Sequence, residues 1–278
     1  MSNPLQSNAH VHTTWCDGAQ TPKEMIEAAL SKRFFDLGFS SHAPPAIKGP
    51  GHGISDIPAY IGEISNLKNE YEGRLFILCG AEQDSYAKVD REKFDYIIHS
   101  EHSLSMDSGV YYPIDHTPQK TLDTFKTRYG GNGLLLAEDY FKLLAEGVKT
   151  YSPDIVGHFD LIAKFNSNSL MFDEDSKDYR SLALSYLDEI ITCVNGYGGM
   201  IEINTSGIRY KGTPYPYAGT PYMLKRLYEK KTRVIITGDS HSSDMLDYMF
   251  PQTLELLKSI GFSSLAVLSG GRFCDIKI

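Results

Sequence analysis

Short apolar runs alternate with longer segments of helical periodicity along this chain. Near the start, Thr21 and Glu24 form a capping-box pattern with a proline between them, and apolar residues follow at helical spacing, which predicts a helix. The next run, DLGFSS, is typical of a short strand and leads to His42. A second helix is predicted over residues 56–71, and the run RLFILCG then predicts a strand that leads to Glu82.

The same alternation continues to the end of the chain. The runs FDYIIHSEH, DIVGH, MIEIN and RVIITGDSH predict further strands, with helices at about 134–149, 180–194 and 221–229, before a last helix and the run SLAVLSG. Alternating strands and helices indicate parallel strands joined by crossover helices, and the chain length suits a (β/α) barrel. We therefore predict one α/β barrel domain over residues 1–278, with an insertion at about 103–133.

Composition favours a protein that acts on small molecules. Of the 278 residues, 41% are hydrophobic, which is enough to form a sizeable core. The net charge of −8, without a cluster of basic residues, argues against a nucleic-acid partner, because phosphate backbones attract clustered lysine and arginine. The four cysteines are scattered, and no leader or membrane-spanning run is recognisable. We expect a cytoplasmic protein with reduced thiols and no membrane partner; the oligomeric state stays open.

The segment HVHTTWCDG, residues 10–18, is unusually rich in metal-binding side chains. On a strand, His10 and His12 would point to the same face, which indicates a metal site that either Cys16 or Asp17 can complete. Other histidines and carboxylates directly follow the later apolar runs, and the carboxyl ends of barrel strands meet at one mouth. We therefore predict a metal centre there. These further candidates are His42, Glu82, His102, His158, Asp239 and His241.

Taken in order, several motifs resemble those of the PHP family, the polymerase and histidinol phosphatase superfamily. They are HVHTTWCDG, GFSSHAP, GAEQD, SEHSL, VGHFDLI, IEINTSGIR and TGDSH, and they extend over residues 10–241. The resemblance is greatest to the histidinol-phosphate phosphatase branch. It implies a distorted seven-stranded (β/α) barrel of TIM type that holds three divalent metal ions. It also implies that the eighth apolar run, SLAVLSG, lies outside the ring of strands that carries the ligands.

The resemblance implies nine metal ligands in three groups, two of which share Glu82. The first group is His10, His12, Glu82 and Asp239; the second is Glu82, His102 and His158; the third is Asp17, His42 and His241. Asp17 is then the ligand, and Cys16 either packs beside the site or provides a catalytic thiol. The ions implied are zinc, manganese or iron.

The expected activity is hydrolysis of a phosphate monoester. Clustered divalent ions suit this reaction, because they generate hydroxide at neutral pH and neutralise phosphoryl oxygens. The resemblance supplies L-histidinol phosphate as substrate, a metal-bridging hydroxide as nucleophile, and catalytic roles for Glu82, Asp239 and His241. Two alternatives are a PHP phosphoesterase that acts on another small phosphate or a nucleotide, and a noncatalytic metal-binding module.

Two cationic side chains are candidate phosphate ligands. The resemblance places Lys164, after GHFDLIA, and Arg209, in NTSGIR, near the substrate. We expect Arg209 to be the stronger ligand, because a guanidinium makes two parallel hydrogen bonds where an ammonium acts as a point charge. A solvated surface charge is the alternative for each. Asn204 and Ser206, also in NTSGIR, are expected only to shape the turn there.

Two further features accompany the predicted centre. His99 and Glu101, in IIHSEH, are expected to form a buried polar pair or to support the ligands from behind, in preference to binding substrate. The insertion carries Tyr111 and Tyr112, and it can form a lid that reads the leaving group.

Overall fold

The computed structural model describes residues 5–44, 53–104 and 112–278. The described strands, in chain order, are β1 (Ser7–Asn8), β2 (Asp36–Phe39), β3 (Phe76–Gln83), β4 (Tyr96–His99), β5 (Ser103–Leu104), β6 (Tyr112–Pro113), β7 (Ile155–Val156), β8 (Met200–Asn204), β9 (Val234–Thr237), β10 (Ser264–Leu268) and β11 (Phe273–Lys277). The described helices are α1 (Pro22–Ser31), α2 (Ile57–Glu70), α3 (Pro118–Tyr129), α4 (Gly133–Tyr151), α5 (Lys177–Tyr197), α6 (Ser206–Lys211), α7 (Pro221–Glu229) and α8 (Phe250–Ile260). None of the helices in these segments has the length and hydropathy to span a bilayer.

One sheet contains most of the described strands, in the order β1-β2-β3-β4-β7-β8-β9-β10-β11. Neighbouring strands from β1 to β10 are parallel, and only the pairing of β10 with β11 is antiparallel. The predicted alternation of parallel strands and helices is therefore confirmed. The predicted capping box is also present, since Thr21 and Glu24 accept hydrogen bonds from each other's backbone N–H.

The first and last strands that carry predicted ligands meet just beyond their carboxyl ends. Val11 and Ser240 form a parallel bridge. The His12 N–H donates to the Ser240 carbonyl at 2.9 Å, and the Ser240 N–H donates to the His10 carbonyl at 3.0 Å. This one bridge connects the two ends of the row β1, β2, β3, β4, β7, β8, β9, as expected of a seven-stranded α/β barrel.

A buried tyrosine fills the inner side of the sheet. The Tyr96 hydroxyl donates to the carbonyls of Ala9, at 2.7 Å, and Phe39, at 3.0 Å, and so links β4 to the segments of β1 and β2. Gly38 and Gly80 leave room for the ring, because a Cβ at either position would lie 2.4 Å from a Tyr96 side-chain atom. Two larger apolar clusters lie between the sheet and its helices.

The eighth apolar run follows β9 in the sheet order, outside the row of strands that carries the predicted ligands, as expected, and it packs against that row. As β10, it pairs with β9 and places Ala266 and Leu268 in the same inner cluster as Tyr96. It carries none of the predicted ligands. The side chains of Ala266 and Leu268 belong to the inner cluster below the predicted ligands, where the neighbouring side chains are also apolar.

The insertion and the chain end contain elements that the apolar pattern did not predict. β5 and β6 form an antiparallel pair, and α3 follows them within residues 103–133. α3 is poor in apolar residues, which left it without a periodic signal, and β11 is a strand of only five residues. Tyr112 lies on β6, and Tyr111 lies outside the described residues.

We predict that Gly80→Ala destabilises the protein by about 1–3 kcal/mol, because its methyl group would overlap the Tyr96 ring in a packed interior. Urea denaturation measures the change. Gly62→Ala is the matched control, since Gly62 is exposed on α2 with nothing within 4 Å of an added Cβ, and alanine favours a helix. Equal unfolding midpoints for the two variants would contradict this role of Tyr96.

Candidate metal centre

All nine predicted metal ligands lie at the carboxyl ends of the strands. His10, His12 and Asp17 follow β1, His42 follows β2, Glu82 is the penultimate residue of β3, His102 follows β4, His158 follows β7, and Asp239 and His241 follow β9. Each apolar strand fixes the backbone up to the point where its polar side chain enters the mouth of the barrel. The structure therefore brings together residues that are widely separated in sequence.

One carboxylate oxygen of Glu82 faces the histidines of the first two strands. Its Oε2 lies 3.4 Å from Nε2 of His10 and 3.4 Å from Nε2 of His12. The same oxygen lies 2.9 Å from Nδ1 of His42. Oδ1 of Asp239 is 3.6 Å from Nε2 of His10 and 3.2 Å from Nε2 of His12. These atoms surround one small volume on this side of Glu82.

The other oxygen of Glu82 faces a different pair of histidines. Its Oε1 lies 3.4 Å from Nε2 of His102 and 3.1 Å from Nε2 of His158. Glu82 is 1% exposed. Its two oxygens therefore face two different groups of histidine nitrogens inside the protein, with little contact with solvent. A carboxylate placed in this way would be able to serve two cations, one through each oxygen.

A third group forms around Asp17. Its Oδ1 lies 3.3 Å from Nε2 of His241, 3.6 Å from Nε2 of His42 and 3.7 Å from Nδ1 of His12. His12 and His42 therefore each face two groups, whereas the resemblance placed each in one. The groups whose donor atoms all lie within 4.8 Å of one another are His12, Asp17, His42 and His241; His10, His12 and Asp239; and His42, Glu82 and His102.

The buried donor atoms have the chemistry of a metal site. Nε2 of His10, Nε2 of His12 and both side-chain oxygens of Glu82 are buried without a hydrogen-bond partner in the described part of the chain. Such atoms are costly to bury unless something compensates them. Imidazole nitrogens and carboxylate oxygens are ligands that zinc, manganese and iron accept. The residues present therefore fit divalent metal ions.

The carboxylates in the cluster are held in their charged form. Burial would raise the pKa of Glu82, but His10, His102 and His42 outweigh it and hold that pKa well below its ordinary value. The pKa of Asp239 is likewise well below its ordinary value, because nearby imidazoles outweigh its burial. Ionised carboxylates are the form that binds a cation.

A strained backbone aims Asp239 at the cluster. Asp239 has a φ of 47°, in the left-handed region that favours glycine. The adjacent Ser240 is held by its bridge to β1. Oδ2 of Asp239 accepts a hydrogen bond from Ser206 at 3.3 Å and one from Asn204 at 3.4 Å, which leaves Oδ1 toward the histidines. Asn204 and Ser206 thus contact a predicted ligand in addition to shaping their turn.

Glu202 is the residue that the sequence analysis missed. It lies on β8, is fully buried, and accepts a hydrogen bond from Nδ1 of His10 at 2.8 Å. This bond places the proton of the ring on Nδ1 and leaves Nε2 free to bind a metal. Glu202 also accepts from the His158 N–H at 2.6 Å and from Thr237 at 2.8 Å. A glutamate inside the apolar run MIEIN was the available signal.

Cys16 and the pair formed by His99 and Glu101 lie beside the candidate ligands in the sequence, and neither is a predicted ligand. Sγ of Cys16 lies 3.4 Å from Nδ1 of His12, on the ring edge away from Glu82, which favours packing beside the site over a catalytic thiol. Nε2 of His99 lies 3.1 Å from Oε1 of Glu101, and both residues are fully buried. The predicted buried polar pair is confirmed.

A cavity of about 550 Å³ lies above the cluster, and only one of the two predicted phosphate ligands lines it. Lys164 lines the cavity, with Nζ 4.5 Å from the centre of the Tyr210 ring and 3.7 Å from Asp115. Arg209 is exposed on α6, outside the described lining. This placement favours Lys164 as the cation nearer the substrate, whereas the sequence favoured Arg209. The insertion reaches the cavity through Asp115 and its neighbours, and Tyr112 does not line it in the described structure.

Fold and site together define a barrel-like α/β protein with a candidate metal centre at the carboxyl ends of its strands. The model of the PHP domain matches residues 8–206, well over half of the chain, and the chain belongs to this family.

Similar proteins extend over almost the whole chain. The histidinol-phosphatase of Bacillus subtilis (strain 168) is 29% identical, over 89% of this chain and 98% of its own length. A Schizosaccharomyces pombe protein named "Probable histidinol-phosphatase" is 27% identical, over 96% of this chain and 90% of its own. The crystal structure of histidinol phosphate phosphatase from Lactococcus lactis subsp. lactis Il1403, complexed with zinc, L-histidinol and phosphate, matches with a TM-score of 0.72 at 19% identity, over 97% of this chain and 99% of that one.

We predict that gently purified protein contains more than one equivalent of transition metal per chain, and that Glu82→Gln lowers this content and abolishes turnover. An amide in place of the carboxylate cannot neutralise two cations. Elemental analysis and a phosphatase assay measure both effects, and circular dichroism checks the fold. Glu72→Gln, a change at an exposed glutamate, is the control. A folded Glu82→Gln variant with wild-type metal content and kcat would remove Glu82 from the centre.

Proposed function

We propose that this chain hydrolyses L-histidinol phosphate to L-histidinol and phosphate, as a metal-dependent phosphomonoesterase of histidine biosynthesis. The observation that carries the proposal is the buried carboxylate of Glu82, which faces histidines on both sides at the floor of a cavity that Lys164 also lines. Relatives named histidinol-phosphatase, similar over about nine-tenths of this chain, support the substrate.

We propose three divalent ions at the nine ligands described above. Glu82 would serve two of them, and Asp17 would serve the third with His241 and His42. When bound, such ions activate water and neutralise the charge that develops on a phosphoryl group. Zinc, manganese and iron all suit these donors.

The side chains of this protein orient the ligands and the substrate. Glu202 keeps the proton of His10 on Nδ1, so that Nε2 stays available. Ser206 and Asn204 hold one oxygen of Asp239 and thereby direct the other into the cluster. Lys164, whose side chain is 15% exposed, provides a positive charge for the phosphoryl oxygens from the side of the cavity.

We further propose that the enzyme works in the cytoplasm, without a nucleic-acid or membrane partner. All four cysteines are free, as expected in a reducing compartment. The net charge of −8 does not suit a polyanionic ligand.

A substrate panel tests the proposed function. The protein is stripped of metal, reloaded with zinc, manganese or iron, and assayed with L-histidinol phosphate, other phosphomonoesters, nucleotides and a phosphodiester. We expect activity only after reloading, with the highest kcat/KM for L-histidinol phosphate. Preference for another phosphate would favour a different PHP phosphoesterase, inactivity of the metal-loaded protein would favour a noncatalytic module, and full activity without metal would overturn the mechanism.

We predict that Lys164→Ala lowers kcat/KM for L-histidinol phosphate by roughly 10–100-fold with unchanged metal content, because it removes a charge from the cavity wall. Arg209→Ala is the matched comparison, and we expect less than about a threefold effect because this side chain is exposed outside the lining. Steady-state kinetics and elemental analysis of both variants decide the matter. A dominant effect of Arg209→Ala would restore Arg209 as the phosphate ligand.

A further inference from the structure

We propose that Asp115 selects phosphomonoesters whose leaving alcohol carries a primary ammonium group. The proposal rests on the proposed function, because it concerns the wall of the same cavity. That wall would receive the leaving group while the phosphoryl group faces the metal ligands.

The backbone around Asp115 is fixed next to a predicted metal ligand. The N–H of the preceding residue, Ile114, donates to the His102 carbonyl at 3.0 Å. From α3, Thr121 donates its hydroxyl to the Ile114 carbonyl at 2.8 Å. The Ile114 side chain is 1% exposed and belongs to a core cluster. Asp115 therefore projects into the cavity from an anchored segment.

The Asp115 carboxylate forms one half of a charge pair inside the cavity. It lies 3.7 Å from Nζ of Lys164, and the two side chains are 24% and 15% exposed. Both residues line the cavity, so both charges are partly removed from water. At this separation the two charges compensate each other, and because both residues line the cavity a ligand there can contact both.

A phosphorylated β-amino alcohol matches this pair. Its ester oxygen and its ammonium group are on adjacent carbon atoms, so one small molecule brings a dianion toward Lys164 and a cation toward Asp115. The anion compensates the lysine, and the ammonium compensates the carboxylate. A phosphate ester without the amine would leave Asp115 facing the phosphate, which is unfavourable. L-histidinol phosphate is a β-amino alcohol phosphate.

The other carboxylate of the described lining outside the ligand cluster is already engaged. Oδ1 of Asp84 accepts the N–H groups of Tyr86, at 2.7 Å, and Ala87, at 2.6 Å. Its Oδ2 lies 3.9 Å from Nδ1 of His102. Asp84 thus holds its own loop and faces a metal ligand. This assignment leaves Asp115 as the carboxylate best placed for the leaving group.

Pairs of substrates that differ only in the amine test the proposal. We compare L-histidinol phosphate with its deaminated analogue, and phosphoethanolamine with ethyl phosphate, on metal-loaded wild type and Asp115→Asn. We expect Asp115→Asn to lower kcat/KM by roughly 10–100-fold for the amine-bearing member of each pair and to leave it unchanged or raise it for the other, because the variant removes the repulsion between the carboxylate and the phosphate. Elemental analysis should find the same metal content in both proteins.

Two further variants separate recognition from a structural role. Asp115→Glu keeps the charge and should keep most of the preference for the amine. Asp123→Asn removes an exposed carboxylate from α3 in the same insertion, and it should leave both members of each pair unchanged. Equal losses on both members in Asp115→Asn, or a wild type without any preference for the amine, would overturn the proposal.

The same panel distinguishes failure of this proposal from failure of the proposed function. If L-histidinol phosphate is not hydrolysed but phosphoethanolamine is preferred over ethyl phosphate in an Asp115-dependent way, the substrate assignment fails and the role of Asp115 stands. If L-histidinol phosphate is hydrolysed and Asp115→Asn does not change the preference for the amine, the substrate assignment stands and the role of Asp115 fails.

Discussion

The buried carboxylate of Glu82 is the constraint on which the rest of this structure depends. An ionised carboxylate that is 1% exposed cannot persist without compensating positive charge, and its oxygens lack hydrogen-bond donors of acceptable geometry in the described residues. Compensation must come from the surrounding donors, either as protonated imidazoles or through the cations that they bind. Strand ends from both halves of the chain have to meet around this one group.

The two ends of the barrel are stabilised in different ways. Away from the site, Tyr96 and apolar side chains fill the inner side of the sheet, and the Tyr96 hydroxyl links β4 to the segments of β1 and β2. At the other end, Glu202 and the bridged Ser240 fix the side chains that face Glu82. Apolar packing thus stabilises the end of the barrel that has no site. At the mouth, hydrogen bonds position the candidate metal ligands, because close packing there would exclude a substrate. A rigid scaffold is what allows costly polar groups to gather at the mouth.

Much of this arrangement follows from local sequence. Apolar runs such as RLFILCG predict strands, and the polar residue after each run predicts what meets at the mouth. Glu202 escaped notice because it lies within an apolar run and not directly after one, and its partner His10 is 192 positions away in the sequence. Whether Arg209 lines the cavity, as Lys164 does, depends on how α6 lies against the sheet, which residue type does not reveal. Helix α3 has too few apolar positions to be recognised by periodicity.

The junction of β1 and β9 has a consequence for how the protein folds. His10 and His12 lie on one side of the Val11–Ser240 bridge, and Asp239 and His241 lie on the other. An ion held by ligands from both sides would cross-link segments near opposite ends of the chain, much as a disulfide would. Forming that junction costs loop-closure entropy, and ion binding would offset part of this cost. Ion binding at the centre would therefore stabilise the closed barrel in addition to supporting the reaction.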